Sequence, residues 1–516
     1  MLLNKNDMKK EIFYSLVITL SAIFNTILAQ QVVGKNFIPI SSTDSQEEII
    51  KKAARLSPTT QQYNWQKLEY IAFVHFGMNT FTGRERGLGK EDPAIFNPDK
   101  FDAEQWARSF KEAGIKMAIL TAKHHDGFCL WPSKYTEYSV KNSPWKNGKG
   151  DIVREFVNAC RKYGLKVGIY LSPWDRNNSS YGDSPKYNEY YRNQLRELLT
   201  NYGKIEEVWF DGACGEGPNG KKQVYDWQSY YKLIRKLQPE AVIFGMSPDI
   251  RWVGTEIGYG RKTEWSVVPI DLTAFDNKSD YPLDEIYSPH DYTDLDLGSR
   301  EKICNAKGLF WYPAEADVSI RPGWFYHKSQ DDSVKSVQEL LDIYFGSVGR
   351  NCVFLLNVPP NRNGLLCKND IDSLKALKNI LDNTFRNNFA EGSKVVADSS
   401  GKEIGYASFF GENKSWIGKP GNNEAMLKFN LTKEETFDVA MIQEEIKNGQ
   451  HVEKFRLEYL DRKEWKIFAE GTTVGYKRLL HFSPVKATYI RLVIEQSRTN
   501  PILANFGLYK LKNNDN

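Results

Sequence analysis

Between Leu68 and Phe385 the chain alternates short, nearly continuous apolar runs with longer stretches in which apolar residues return every three or four positions. The first pattern predicts strands buried on both faces, the second amphipathic helices. Phe73-Val74-His75-Phe76 reads as a first strand. Asp102 to Ala113 reads as a helix with Ala103, Trp106, Ala107, Phe110 and Ala113 on one face, Asp102 placed to cap its start and Gly114 its end. Lys116 to Thr121 is the next strand. The unit recurs as a helix from Asp151 closed by Gly164, a strand Lys166 to Leu171, and a helix Tyr187 to Tyr202. A strand Glu207 to Phe210, a helix Tyr225 to Leu237 and a strand Ala241 to Gly245 follow. Such alternation makes a helix-covered parallel sheet, and more than five units favour closure. The predicted α/β fold over 68–385 is a distorted (β/α)8-type barrel, because the pattern loosens after Gly245. Val334 to Val348 and Asp370 to Asn383 read as late helices, and Val353 to Val358 as a last strand.

Past Phe385 the period changes to two. Ala425 to Phe429, Phe437 to Met441, Lys454 to Tyr459 and Tyr489 to Ile494 alternate in polarity between Gly, Asn and Asp clusters, which predicts a C-terminal β-sandwich over 386–516. At the other end, Lys9 and Lys10 precede an apolar stretch from Ile12 to Ala29. This reads as a signal peptide over 1–29, followed by an extension over 30–67, in an exported protein that is periplasmic or secreted. An uncleaved membrane anchor is the competing reading. No Cys follows the apolar run to carry a lipid, and no other segment has the length and apolarity of a membrane span.

A net charge of +4 on 69 basic and 65 acidic residues gives no reason to expect nucleic acid or an anionic membrane as partner. The six Cys form no C-x-x-C pair and are too sparse for a disulfide framework, so free thiols are expected. The 13 Trp and 27 Tyr are what a sugar-binding cleft needs, although they also serve as core.

Chemistry in such a barrel sits at the C-terminal ends of the strands. There the pattern delivers His75; the run Lys123-His124-His125-Asp126-Gly127; Tyr170, with Trp174 beyond; Trp209 and Asp211; and, after the fifth strand, Glu256. Three of only seven His therefore fall at strand ends. An Asp after a strand is commonly a turn former. Asp211, however, is followed by Gly212-Ala213-Cys214-Gly215, which leaves it uncrowded and starts no prompt helix, and this favours a catalytic carboxylate. His124 and His125 lack third and fourth ligands at metal spacing, so a sugar-hydroxyl clamp is favoured over a metal site. Trp252, Gly254 and Gly258 give Glu256 a shaped loop, while Glu216, Glu264, Glu285 and Glu315 compete for the same role. Two carboxyls are what glycoside hydrolysis requires: one to attack or activate, the other to protonate the leaving oxygen.

His75-Phe76-Gly77-Met78-Asn79-Thr80-Phe81, Lys123-His124-His125-Asp126-Gly127-Phe128 and Val208-Trp209-Phe210-Asp211-Gly212 resemble the α-L-fucosidases of glycoside hydrolase family 29 over about Tyr70 to Pro360. The resemblance implies a retaining enzyme with Asp211 as nucleophile. It implies a fucose pocket from His75, Glu91, His124, His125, Tyr170 and Trp209, with Trp324 stacked on the sugar and Trp131 as a further wall. Gly89 to Ala94, Trp252 to Glu256 and Ile320 to Trp324 look like the branch that prefers α-1,3/4-linked fucose, in which Glu256 matches the general acid/base. The implied partner is a fucosylated, Lewis-type oligosaccharide or glycoconjugate, and no cofactor is required. The C-terminal region is similar to discoidin-like domains, which often bind carbohydrate and sometimes hold a structural calcium. Its loops show no sugar-binding constellation, so a packing role competes. A glycosidase for another glycone, such as an α-galactoside, and a non-catalytic glycan-binding protein stay open beside the main reading; the pair Asp211 and Glu256 argues against the latter.

Overall fold

The computed structural model describes residues 36–245, 249–270, 294–397, 402–403 and 415–512. The expected signal peptide lies outside them. Eight parallel strands make the central sheet: β1 Tyr70–Val74, β2 Met117–Lys123, β3 Lys166–Leu171, β4 Glu207–Trp209, β5 Val242–Phe244, β6 Arg251–Trp252, β7 Ala314–Ser319 and β8 Val353–Asn357. Their order is β5-β4-β3-β2-β1-β8-β7-β6. Among the described residues a single parallel bridge, Phe244 to Ile250, joins the two ends and nearly closes the barrel.

The strands form where apolar, β-branched runs can be buried on both faces; every residue of β1, β2 and β8 is buried. Two of these eight strands were not anticipated. β6 has only two residues. β7 alternates Ala314, Ala316 and Val318 with Glu315, Asp317 and Ser319, all buried, so its polar positions broke the apolar run. The first strand also ends earlier than expected, at Val74, leaving His75 just beyond it.

Among the described residues six helices cover the barrel: α1 Ala103–Glu112, α2 Ile152–Lys162, α3 Ser184–Asn201, α4 Trp227–Leu237, α5 Val337–Ser347 and α6 Lys368–Phe385. Asp102 and Asp151 cap α1 and α2 by accepting the N–H of Gln105 and Arg154, at 2.9 and 2.8 Å. Ser336 and Glu339 close a capping box on α5. Such caps stabilise by about 1 kcal/mol each. α3 begins three residues earlier than expected because Pro185 suits the first turn of a helix.

The C-terminal unit is antiparallel. Strands Lys394–Ala397, Ala425–Glu444, Arg478–Ser497, Val452–Asp461 and Glu464–Gly471 pair in that order, and Ile502–Tyr509 pairs with Ala425–Glu444. The long strands Ala425–Glu444 and Arg478–Ser497 carry register shifts between Asn430 and Glu435 and between Phe437 and Val439. Such irregularities bend a strand. Phe429, Phe437, Phe455, Ile490, Leu492, Phe506 and Leu508 fill the core. Among the described residues no three His, Cys, Asp or Glu gather as a metal cluster. All six Cys are free.

Candidate active site

At the C-terminal mouth of the barrel lies a cavity of about 330 Å³, lined by Phe73, His75, Glu85, Arg86, His124, His125, Tyr170, Trp209, Asp211, Ala213, Glu256, Asp317 and Trp324. Register builds its floor. Tyr170, Trp209 and Phe244 lie side by side on β3, β4 and β5. Trp209 stacks on Phe244 with ring centroids 4.1 Å apart. Its indole N–H donates to Glu315 Oε1 at 2.8 Å, which fixes the ring plane from below. Trp324 lies across the cavity with its ring 5.1 Å from that of His75.

The three histidines are neutral and differ in what they offer. Asn357 Nδ2 donates to Ser319 Oγ and to the Trp324 carbonyl, so its Oδ1 is the acceptor for His75 Nδ1–H at 2.9 Å. His75 thus keeps Nε2 as an acceptor, and burial pushes its pKa down to about 3. The Ser172 hydroxyl donates to the Trp174 carbonyl at 2.7 Å and therefore accepts from His125 Nδ1–H, also at 2.7 Å. The lone pair of His125 is thereby left on Nε2, 3.7 Å from Asp211 Oδ2. Burial lowers the His125 pKa, against the raising effect of Asp211. Asn79 Nδ2 lies 3.4 Å from His124 Nδ1, which leaves His124 Nε2–H as a donor. Burial, then the neighbouring His125, hold His124 well below its ordinary pKa. Two acceptors and a donor, none charged, suit vicinal hydroxyls.

Asp211 sits two residues past β4. Its Oδ1 accepts the Ala213 N–H at 2.7 Å and its Oδ2 accepts the Tyr170 hydroxyl at 3.2 Å. These bonds aim a partly exposed carboxylate into the cavity. Glu256 comes from the loop after β6, and the Trp324 indole N–H donates to its Oε2 at 3.3 Å. A third carboxyl, Asp317, stands at the end of β7 and accepts the Trp252 indole N–H at 2.7 Å. Burial pushes Asp317 up to about 7 against the pull of that bond, with the Glu256 and Asp211 charges adding to the rise.

His75, His124, His125, Tyr170, Trp209, Trp324, Asp211 and Glu256 all line this one cavity. Glu91 does not. Its carboxylate accepts the N–H of Leu88 at 2.6 Å, the N–H of Lys90 at 2.9 Å and the Tyr138 hydroxyl at 3.2 Å, so it folds the loop rather than facing the cavity. Glu85 lines the cavity in its stead. It accepts the Trp324 N–H at 3.0 Å and sits 2.7 Å from His327 Nε2. Trp131 also lies elsewhere, buried with its N–H on Glu197 at 2.9 Å.

The competing carboxylates separate equally well. Glu264 is buried between Arg251 and Arg261. Glu315 is beneath the floor, where burial and the adjacent Glu207 push its pKa up. Glu216 pairs in a bridge with Lys222 outside the cavity, and Glu285 lies outside the described residues. Sequence reading missed Glu85, Arg86 and Asp317. The period-two alternation of Ala314 to Ser319 is the signal that would have found Asp317.

The alpha-L-fucosidase family profile matches residues 39–384, and the F5/8 type C domain profile matches residues 392–506. The chain is 43% identical over 470 residues to alpha-L-fucosidase 1 of Arabidopsis thaliana, covering 88% of this chain and 87% of that protein. A Ruminococcus gnavus GH29 fucosidase solved in complex with fucose superposes with a TM-score of 0.77 at 34% identity, over 88% of this chain and 95% of that one. A glycoside hydrolase 29 family member from an unknown rumen bacterium gives a TM-score of 0.74 at 40% identity, over 88% and 77%. With a cavity that gathers neutral histidines, aromatic walls and facing carboxylates, and with these matches spanning both units, the chain belongs to the alpha-L-fucosidase family of glycoside hydrolases, family 29.

Proposed function

We propose that the enzyme releases α-1,3/4-linked L-fucose from Lewis-type glycans with retention of configuration, using Asp211 as nucleophile and Glu256 as general acid/base. The observation that carries this is the convergence of Asp211 and Glu256 on one cavity from β4 and from the loop after β6. Asp211 attacks the anomeric carbon and forms a fucosyl ester as the bond to the leaving oxygen breaks. Glu256 gives that oxygen its proton. Glu256 then takes a proton from water, which attacks the anomeric carbon and frees Asp211. The Tyr170 hydroxyl and Ala213 N–H hold Asp211 in line. His75 and His125 accept, and His124 donates, to sugar hydroxyls; Phe73 and Trp324 cover the apolar face and methyl group. The chemistry needs no cofactor.

The linkage preference rests on the likeness of the Trp252 to Glu256 and Ile320 to Trp324 runs to the 1,3/4-selective branch. Export to the periplasm or the medium rests on the Lys9-Lys10 and Ile12–Ala29 pattern. A product assay on α-1,2-, 1,3-, 1,4- and 1,6-linked fucosides tests the central claim. Release from the 1,3 and 1,4 linkages should dominate, and preferential release from the 1,2 or 1,6 substrate would sink it.

A further inference from the structure

We propose that the C-terminal sandwich is a positioning element for the reaction, holding the far end of the loop that carries Glu256. The inference rests on the acid/base reading of Glu256 given above.

The loop leaves the barrel at Val253, whose N–H donates to the Glu315 carbonyl at 2.9 Å, and returns at Glu264. Both ends meet at the Glu264 side chain. That buried carboxylate accepts from Arg251 on β6 and, at 2.9 Å, from the Arg261 N–H. Arg261 Nη1 reaches back to the Val253 carbonyl at 2.8 Å, which ties the loop across its neck. Within the barrel, the Glu256 side chain has the long Trp324 contact for support.

The barrel also holds the loop at Gly260, whose N–H donates to the Gly346 carbonyl at 2.8 Å and whose carbonyl accepts from Arg350 Nη1 at 3.0 Å; beyond Gly260, at Lys262 to Glu264, the sandwich adds its own contacts. The Glu264 N–H donates to Thr473 Oγ1 at 3.0 Å, and Gln450 Nε2 donates to the Glu264 carbonyl at 3.0 Å. The Lys262 carbonyl accepts from Thr472 Oγ1 at 3.0 Å and from Arg478 Nη1 at 2.7 Å. The Thr263 hydroxyl donates to Thr472 Oγ1 at 2.9 Å. Thr473, Gln450 and Arg478 are buried, so these bonds are shielded from water. None of these residues touches the cavity, and their effect on chemistry must pass through the loop.

The test compares Thr472→Val/Thr473→Val with Thr473→Ser in the full-length enzyme. Two substrates are used: a fucosylated oligosaccharide and an aryl fucoside with a good leaving group. A displaced acid should lower kcat on the oligosaccharide by about tenfold while the aryl fucoside changes by no more than about twofold. Thr473→Ser, which keeps the hydroxyl, should stay near the parent. Parallel loss on both substrates, or no loss on either, overturns the proposal. Thermal melts identify a folding defect, and if the double variant is unfolded, Thr472→Val alone gives the same comparison from a partly exposed position. Glu256→Ala is the control for the underlying reading. If it shows no leaving-group dependence, the acid/base assignment fails first; if it does and the threonine variants do not, only the role of the sandwich falls.

Discussion

Trp324 reaches Glu256 across 68 positions of sequence, its indole N–H donating to Oε2 at 3.3 Å. One ring therefore does two things: its face walls the cavity and its edge holds a carboxyl on the loop opposite. Trp324→Phe keeps the face and removes the edge. KM for fucosides should stay within about threefold, while kcat on oligosaccharides falls about tenfold, the lower range for one hydrogen bond to a charged group. Trp324→Ala should raise KM as well. Steady-state kinetics separate the two, and a Phe variant with parental kcat would mean the bond is idle.

Glu256→Ala should lose on the order of 10²–10⁴ in rate on natural glycans, the range for a missing general acid. Aryl fucosides with good leaving groups should suffer less, and azide should restore turnover as a fucosyl azide. Equal losses without azide rescue would point to another acid, and Asp317 would be the next to test.

Asp211→Asn removes the nucleophile while keeping the Ala213 N–H and Tyr170 contacts geometrically in reach. Activity should fall by at least about 10³ on every fucoside, whatever its leaving group. Retained release of fucose from a Lewis-type trisaccharide would falsify the assignment. NMR of the first product should show the α-anomer in the parent enzyme, since retention requires two displacements.

Asp317 makes a pH prediction about stability. Its folded pKa of about 7 lies above the ordinary 3.8, so the folded state holds the proton longer than the unfolded chain. The contribution of this site is full below the unfolded value and is lost as pH rises toward 7. Asn cannot titrate. Relative to Asp317→Asn, the parent should therefore lose stability between pH 4 and 7.5, by at most about 4 kcal/mol. Urea denaturation of both proteins at the two pH values measures this directly. A difference that does not vary with pH would show that the carboxyl is ionised throughout. Asp126, pushed up to about 7 by burial, and Glu444, likewise to about 7, change in both proteins alike and cancel in the comparison.

The barrel was legible where burial on both faces wrote continuous apolar strands, as in Met117–Lys123 and Val353–Asn357, and where helices carried one apolar stripe. It was illegible at β6, too short for any period, and at β7, where the barrel interior is carboxylic rather than aliphatic. The same physics divides the site. Asp211, His75, His124 and His125 stand out because they interrupt or end apolar strands. Glu85, between Arg84 and Arg86 in a polar loop, looks like surface until Trp324 and His327 are seen to close on it. Glu91, chosen from the same loop by likeness, does not line the cavity; its carboxylate is taken up by the backbone N–H groups of Leu88 and Lys90.

Among the described residues the barrel is nearly closed by one bridge, between Phe244 and Ile250, beside a strand of two residues. A seam is where a closed sheet can gain or lose length without shifting its neighbours' register. Here His75, His124, His125 and Asp211 follow β1, β2 and β4, and Tyr170 and Trp209 stand on β3 and β4, all within the laddered part of the sheet, whereas Glu256 hangs from the seam. A change of length at this seam would therefore move the loop of Glu256 while leaving the register of β1 to β4, and with it the cavity floor, in place.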